Sequence, residues 1–234
     1  MAEFRLASFG RERLGPRLSI PRHRHRHGYI AVVLSGDYQE AGLAGRFALE
    51  AGHVVVHQPF DAHLNHVSRI GAEVLNLPLP HDARLPAVFR VADADAIVRL
   101  AERNVMAAAQ ALAPVEGVAV SEDWTDALAL AITEAPDRRL GSWATQHGFS
   151  AETLSRGFRK AYGVTPAGFR AEARAQQAMR LILESTMPLA AVAAECGYSD
   201  QPHLTRAIVQ LTGQPAGFWR RQSNSFKTKG SEQT

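Results

Sequence analysis

The chain has 234 residues, 46% of them apolar, a formal net charge of +3 and one cysteine, Cys196. That length holds one large or two modest domains, and a lone cysteine excludes an intramolecular disulfide and a multi-cysteine zinc site. No apolar run reaches the roughly 20 residues that span a bilayer, and the opening MAEFRLASFGRER lacks the apolar segment of a signal peptide. A reducing, cytoplasmic setting with no membrane partner is expected. The charge is uneven: from Arg138 onward 13 Lys and Arg face 6 Asp and Glu, a net of +7, while residues 1–137 carry −4. A basic C-terminal half suits a polyanion.

In chain order, residues 1–20 are mixed in character and read as a loose arm. From Pro21 to about Pro80 the texture is β: Tyr29–Leu34, Phe47–Leu49 and His53–His57, broken by Gly36, Gly42, Gly45, Gly52 and Pro59. This punctuation predicts a sandwich or a small barrel. Within it Arg22-His-Arg-His-Arg-His27 alternates. On a strand, His23, His25, His27 and Tyr29 share one face, and Arg22, Arg24 and Arg26 the other. Seven of the ten histidines lie between positions 23 and 66. Imidazoles gathered inside a barrel are natural metal ligands; they equally line a pocket for an organic effector or hydrogen-bond within a core.

Asp93 to about Leu112 is Ala-rich, with Ile97, Leu100, Ala101, Val105 and Ala108 at helical spacing. After a break at Pro114–Val120, Trp124–Thr133 predicts another helix. Their Ala-rich faces exceed what a small barrel would cover, which makes 93–133 the candidate homodimer surface. From Ser223 the chain is polar and reads as a disordered tail.

Between these lies a repeat. Leu140-Gly-Ser-Trp-Ala-Thr-Gln-His-Gly-Phe-Ser150 is echoed by Leu189-Ala-Ala-Val-Ala-Ala-Glu-Cys-Gly-Tyr-Ser199, Leu154-Ser-Arg156 by Leu204-Thr-Arg206, and Pro166-Ala-Gly-Phe169 by Pro215-Ala-Gly-Phe218. Each copy reads as short helix, Gly turn and second helix, the arrangement needed to enter two successive major grooves of DNA. In the first copy Trp143 and Ala144 point inward, Gly148 makes the turn and Ser150 caps. Leu154, Phe158 and Ala161 form the buried stripe, which leaves Glu152, Thr153, Ser155, Arg156, Arg159 and Lys160 facing outward. Arg156 suits a guanine edge and Lys160 a phosphate. Thr165-Pro166 starts a connecting helix through Leu183. In the second copy Leu189, Val192 and Ala193 pack, Gly197 turns, and Ser199 or Asp200 caps. Leu204, Ile208 and Leu211 are buried, and Gln201, His203, Thr205 and Arg206 face the groove. Cys196, before the turn glycine, reads as a buried structural thiol rather than a redox sensor.

On these motifs, residues from about 137 to 222 resemble the DNA-binding domain of the AraC/XylS family of transcription regulators. The resemblance implies seven helices with two helix-turn-helix units. It places base contacts at Glu152, Ser155 and Arg156, and at Gln201, Pro202 and Arg206. Ile208 stands where relatives carry an aromatic. The first half resembles the cupin domain that often precedes that domain. His23-Arg-His25 with Val32-Val-Leu-Ser-Gly36 is similar to its first motif, and Gly52–His63 to its second. Where metal-binding cupins place a Glu, this chain has Tyr29. The resemblance implies a divalent metal, zinc, nickel or iron, on His23, His25 and His63, with His27, His57 or His66 as a fourth ligand. In a regulatory cupin without metal, His23, His25, His27, Tyr29, His57 and His63 line an effector pocket instead.

The expected fold is α+β and multidomain. A small cupin-like β-barrel spans 1–90, a helical linker and dimerisation region 91–136, an all-α domain with two helix-turn-helix units 137–222, and a tail 223–234. The expected function is a non-enzymatic transcription regulator of activator type. Its partners are double-stranded promoter DNA, RNA polymerase, a small-molecule or metal effector and a second copy of the chain. A metal-dependent cupin enzyme fused to a DNA-binding domain and a DNA-bending architectural protein are the alternatives.

Overall fold

The computed structural model describes residues 9–136 and 139–230, with side chains through Ser223. Among these, the first half forms one antiparallel sheet. Its strands are β1 (Gly10–Leu14), β2 (Ser19–Arg24), β3 (Tyr29–Gly42), β4 (Gly45–Glu50), β5 (His53–His57), β6 (Ala62–Pro78), β7 (Val88–Arg90) and β8 (Glu116–Gly117). β3 and β6, 14 and 17 residues long, are the frame. They pair with each other; β4 and β5 hang on β3, β1 and β2 on β6. The β3–β6 register slips between Val33 and Ser35 and again between Gly36 and Tyr38, so the pair bends there. At that bend Gly36 sits at φ 70°, and a Cβ on it would lie 2.0 Å from the Gly71 carbonyl oxygen. Only glycine meets both demands.

The sheet corrects the expected loose arm. Residues 10–14 are a strand paired with Ala72–Asn76, because β6 is long enough to offer them an unpaired edge. Residues 1–8 of that arm lie outside the described residues. The single helix expected over 93–112 is two, α1 (Ala94–Ala101) and α2 (Val105–Gln110). Asn104 divides them, its side chain accepting from Met106 N and Ala107 N to cap the second. Both lie on the sheet, where Ile97, Val98, Ala108 and Ala109 join Ile30, Val54, Leu77 and Phe89 in one core.

α3 (Trp124–Glu134) opens with a reciprocal cap between Asp123 and Asp126. Its Leu128, Ala129 and Ile132 pack with Trp143, Phe158, Tyr162 and Phe169, and with Ala41 and Leu64 of the sheet. One face of each helix in this candidate homodimer region is thus packed within the chain, while Met106 and Leu130 stay exposed. The sheet is larger than the barrel that expectation assumed.

The C-terminal half continues as α4 (Leu140–Gln146), α5 (Ala151–Tyr162), α6 (Pro166–Glu184), α7 (Leu189–Glu195), α8 (Gln201–Thr212) and α9 (Ala216–Gly230). The boundary expected at Asp137 lies outside the described residues. α9 overturns the disordered tail as far as Gly230. Ser223 is buried with its hydroxyl donating to the Leu183 carbonyl, and Arg220 donates to Ile182 O at 2.9 Å and Met187 O at 2.6 Å. Residues 231–234 lie outside the described residues.

Two glycine substitutions separate conformational strain from collision. Gly148 has φ 72° and nothing within 4 Å of an added Cβ, whereas Gly36 meets backbone. Gly148→Ala should cost about 1–2 kcal/mol, the left-handed penalty alone. Gly36→Ala should cost more than about 3 kcal/mol or prevent folding. Urea unfolding of the two variants measures the difference, and equal losses would contradict the bend.

Candidate functional site

Two helix pairs with the same turn face solvent in the C-terminal half. In the first, α4 and α5 are joined across Gly148, and Phe149 N donates to Ala144 O at 2.9 Å. In the second, α7 and α8 are joined across Gly197 at φ 67°, and Tyr198 N donates to Ala193 O at 2.8 Å. Side chains cap both second helices: Ser150 accepts from Thr153 N, and Asp200 rather than Ser199 accepts from His203 N. Both helices end on a left-handed glycine, Gly163 and Gly213. The two copies therefore start and stop their second helices by the same local chemistry.

The faces fall as the spacing predicts. Leu154 and Phe158 of α5 and Leu204, Ile208 and Leu211 of α8 are buried. Ala161 is only half-buried; the four-residue step from Phe158 buries Tyr162 instead, whose hydroxyl donates to Asp126 at 2.7 Å. Glu152, Thr153, Arg156, Arg159 and Lys160 are exposed and Ser155 is half-buried; Gln201, Pro202, His203 and Arg206 are exposed and Thr205 is half-buried. Pro202 lies in the first turn, where a missing backbone N–H costs nothing. Arg156 lies 3.2 Å from Glu152 one turn away, an exposed pair that a stronger anion would readily break. α6 links the pairs, capped by Thr165 with Pro166 at its start. Its Arg174 donates to the Cys196 and Gly197 carbonyls and stacks on Tyr198, fixing the second turn. Cys196 is buried and its thiol pKa is raised, first by burial, as befits a packing residue.

The second concentration of chemistry is inside the sheet. His23, His25, His57, His63 and Tyr29 are all buried, with ring centroids 4.4 Å apart for His23–His63 and 4.3 Å for His57–His63. His23, His25 and His63 each offer a ligand atom within 4.8 Å of the others; Glu40, His57 and His63 do the same. The His23 Nδ1 lies 2.9 Å from the Pro21 carbonyl, to which it can only donate. Its Nε2 lone pair is thereby directed at His25 Nε2, 3.1 Å away. Burial lowers the His57 pKa to about 3, helped by His25 and His23, and holds His63 well below its ordinary value. These imidazoles are neutral at pH 7 and able to coordinate. His63 Nδ1 is buried and meets no hydrogen-bond partner among the described residues. Such an atom, among converging neutral imidazoles, fits a cation.

Two expected members are elsewhere. His27 is exposed, because β2 ends at Arg24 and the alternation stops there. His66 is exposed, its Nδ1 3.0 Å from the Ser19 hydroxyl. Glu40 was not anticipated. Its signal was the alternation of β3 beyond Gly36, which sends Tyr38 and Glu40 to the buried side. Burial lifts its carboxyl pKa to about 8 against an opposing hydrogen bond from Asn65.

The segments bearing these histidines also hold the helical half. Arg22 is buried. Its guanidinium donates twice to Glu172 of α6, at 3.0 and 2.6 Å, and to Tyr162 O, the last carbonyl of α5, at 3.0 Å, and lies over the Phe169 ring. Arg24 donates to Gln210 O and Leu211 O, in the last turn of α8, at 3.3 and 3.0 Å. Between β5 and β6, Phe60 takes φ 65° and enters the core formed by α6, α7, α8 and α9; Gln176 of α6 donates to Pro59 O and Asp61. None of these contacts was legible as such. Strand alternation puts Arg22 and Arg24 on the face opposite His23 and His25 but names no partner for them.

Comparison with known proteins bears on the helical half. A family model described as a helix-turn-helix domain matches residues 143–222. No curated protein matches the chain. Among solved structures, the C-terminal domain of AraT, a response regulator from Geobacillus stearothermophilus, is 23% identical over 42% of this chain and 84% of that one, with a TM-score of 0.39. Fatty acid-bound ToxT from Vibrio cholerae is 9% identical over 90% of this chain and 93% of that one, with a TM-score of 0.42. A probable AraC family transcriptional regulator from Rhodopseudomonas palustris is 20% identical over 41% and 93%, with a TM-score of 0.38. All three scores lie below 0.5, so the assignment rests on the sequence match and the motifs. Residues 143–222 match a helix-turn-helix domain.

Proposed function

We propose that the chain is a sequence-specific DNA-binding transcription regulator, not an enzyme, and that a divalent metal ion in its sheet domain is the effector. The observation that carries the DNA half is the matched pair of exposed faces on α5 and α8. Each is set by the same glycine turn, and each carries Arg at the same place, Arg156 and Arg206. The two helix pairs are read as two helix-turn-helix units, with Glu152, Ser155 and Arg156, and Gln201, Pro202 and Arg206, toward the bases. Thr153, Arg159, Lys160, His203 and Thr205 complete the surface on promoter DNA. Activator behaviour and RNA polymerase as a partner follow from the family resemblance. A homodimer through 93–133 would use the residues of that region left exposed, Met106 and Leu130 among them.

The bent β3–β6 frame supports a cupin-like barrel. His23, His25 and His63 would hold the metal, with His57 and Glu40 beside them. Imidazole donors suit zinc, nickel or iron, and a bound ion would supply positive charge that draws Glu40 into its ionised form. The domain boundaries shift accordingly: α1 and α2 belong with the sheet, and α3 with the DNA-binding helices.

Binding-site selection with the full-length protein tests the DNA reading. Wild type should enrich one bipartite sequence, and its affinity should fall steeply with salt as counterions are released. Arg156→Ala should relax preference at one or two adjacent base pairs, a loss of about 1–3 kcal/mol of discrimination. Lys160→Ala should weaken all sequences alike and lower the salt slope by about one. A uniform effect of Arg156→Ala would mean that Arg156 holds only phosphate; failure to enrich any sequence would overturn the DNA reading.

Calorimetric titration of zinc into the purified chain tests the metal. Wild type should bind one ion, and His63→Ala should lose at least about tenfold in affinity. Unchanged affinity in His63→Ala would remove the cluster as the site.

A further inference from the structure

We infer that the metal cluster is wired directly to both DNA-reading helices, because each segment that supplies its ligands also anchors the helical half. The inference rests on the metal reading above. β2 is the clearest case. Alternate residues of a strand point to opposite faces, about 3.3 Å apart along the chain. On one side His23 and, just past the strand's end, His25 turn their Nε2 atoms toward each other in the cluster. On the other face Arg22 and Arg24 take the C-terminal carbonyls of α5 and α8. Those carbonyls have no partner within their own helices, and a guanidinium there also meets the negative end of the helix dipole. One strand therefore caps both reading helices with neighbouring arginines. Gly163, at the end of α5, lies so close that a Cβ on it would stand 3.1 Å from Arg22 Cβ and 2.8 Å from Leu64 Cδ2.

The second ligand segment repeats the arrangement. His57 and His63 flank the loop whose Phe60 is seated among α6, α7, α8 and α9, and whose Pro59 and Asp61 accept from Gln176. Phe60 N donates to His25 O at 2.8 Å, so the two segments are also tied to each other. The ligand atoms lie within 4.8 Å of one another, His23 and His25 Nε2 already at 3.1 Å, and would have to gather at about 2.0–2.1 Å from a zinc ion. Drawing His63 onto the His23–His25 pair would shift the Phe60 loop and β2 relative to each other, against the contacts both make on their far sides. Packed interfaces answer such a shift by moving to a second arrangement rather than by stretching. Metal occupancy thus sets how α5 and α8 are held, and DNA on α5 and α8 in turn sets metal affinity.

Linkage gives the test. Two binding events that share one coupling change each other's equilibrium by the same factor. With the full chain and a duplex enriched by the wild type, DNA affinity is measured by fluorescence anisotropy with and without zinc, and zinc affinity by calorimetry with and without the duplex. Both should shift by the same factor, at least about fivefold. Two variants interrupt the far-side contacts without touching a histidine: Arg24→Ala, and Arg22→Lys, which keeps the buried charge but loses the fork. Thermal unfolding confirms that each is folded. In either variant zinc and DNA should still bind separately, while the shared factor falls toward one. If zinc binds and the factor survives in both variants, or if zinc binds and leaves wild-type DNA affinity unchanged, the wiring is wrong while the metal site stands. If zinc does not bind the wild type at all, both the metal reading and the wiring fall.

Discussion

A charge taken out of water must be paired, and Arg22 is such a charge. Its guanidinium has lost nearly all solvent contact and is held by Glu172, the Tyr162 carbonyl, the Ala41 carbonyl and the face of Phe169. These partners come from the sheet, from α5 and from α6. Breaking such a pair by removing one member leaves an uncompensated buried charge, at a cost of about 3–5 kcal/mol. The two halves of the chain are consequently not free to drift apart as beads on a linker. Their relative placement is set by a polar contact with fixed directions, not by apolar area alone.

That constraint explains why the seam between the halves looks as it does. Apolar groups cross it in both directions: Ala41 and Leu64 join the core under α5, and Phe60 joins the core under α8. Phe60 adopts a left-handed backbone conformation that an aromatic side chain reaches only with strain. The strain is offset by burial of its ring against Trp219, 5.6 Å away centre to centre. Arg46 adds a polar fastening from β4, donating to both Asp123 and Asp126 at the start of α3. Asp126 also receives Tyr162, so α3, α5 and the sheet meet at one carboxylate.

Much of this was legible in the sequence wherever a local rule decides the outcome. Glycine turns at 148 and 197, hydroxyl and carboxylate caps, and the three-and-four spacing of Leu154, Phe158, Leu204 and Ile208 fixed the helix pairs and their outward faces. The strand alternation put His23 and His25 together and Arg22 and Arg24 opposite. It failed at His27, since alternation holds only while the strand lasts and pairing with β6 ends at Arg24. The Ala-rich stretch from 93 hid a break because nothing in its periodicity registers a capping Asn as strongly as a proline would. Contacts separated by more than a hundred residues, such as Arg22 with Tyr162 or Gln176 with Pro59, had no local signature at all.

The position of α3 alters what counts as the DNA-binding unit. Sequence repetition starts near residue 140, and cutting the chain at that point looks natural. Trp124, however, lies so close to Gly157 in the middle of α5 that a Cβ there would come within 2.4 Å of its ring. Leu128, Ala129 and Ile132 cover the same core from above. A fragment begun at the repeat would leave Phe158 and Tyr162 without that cover and with an unpaired phenol. The packing around the first helix pair therefore reaches back to the Asp123 cap, a helix earlier than the repeat.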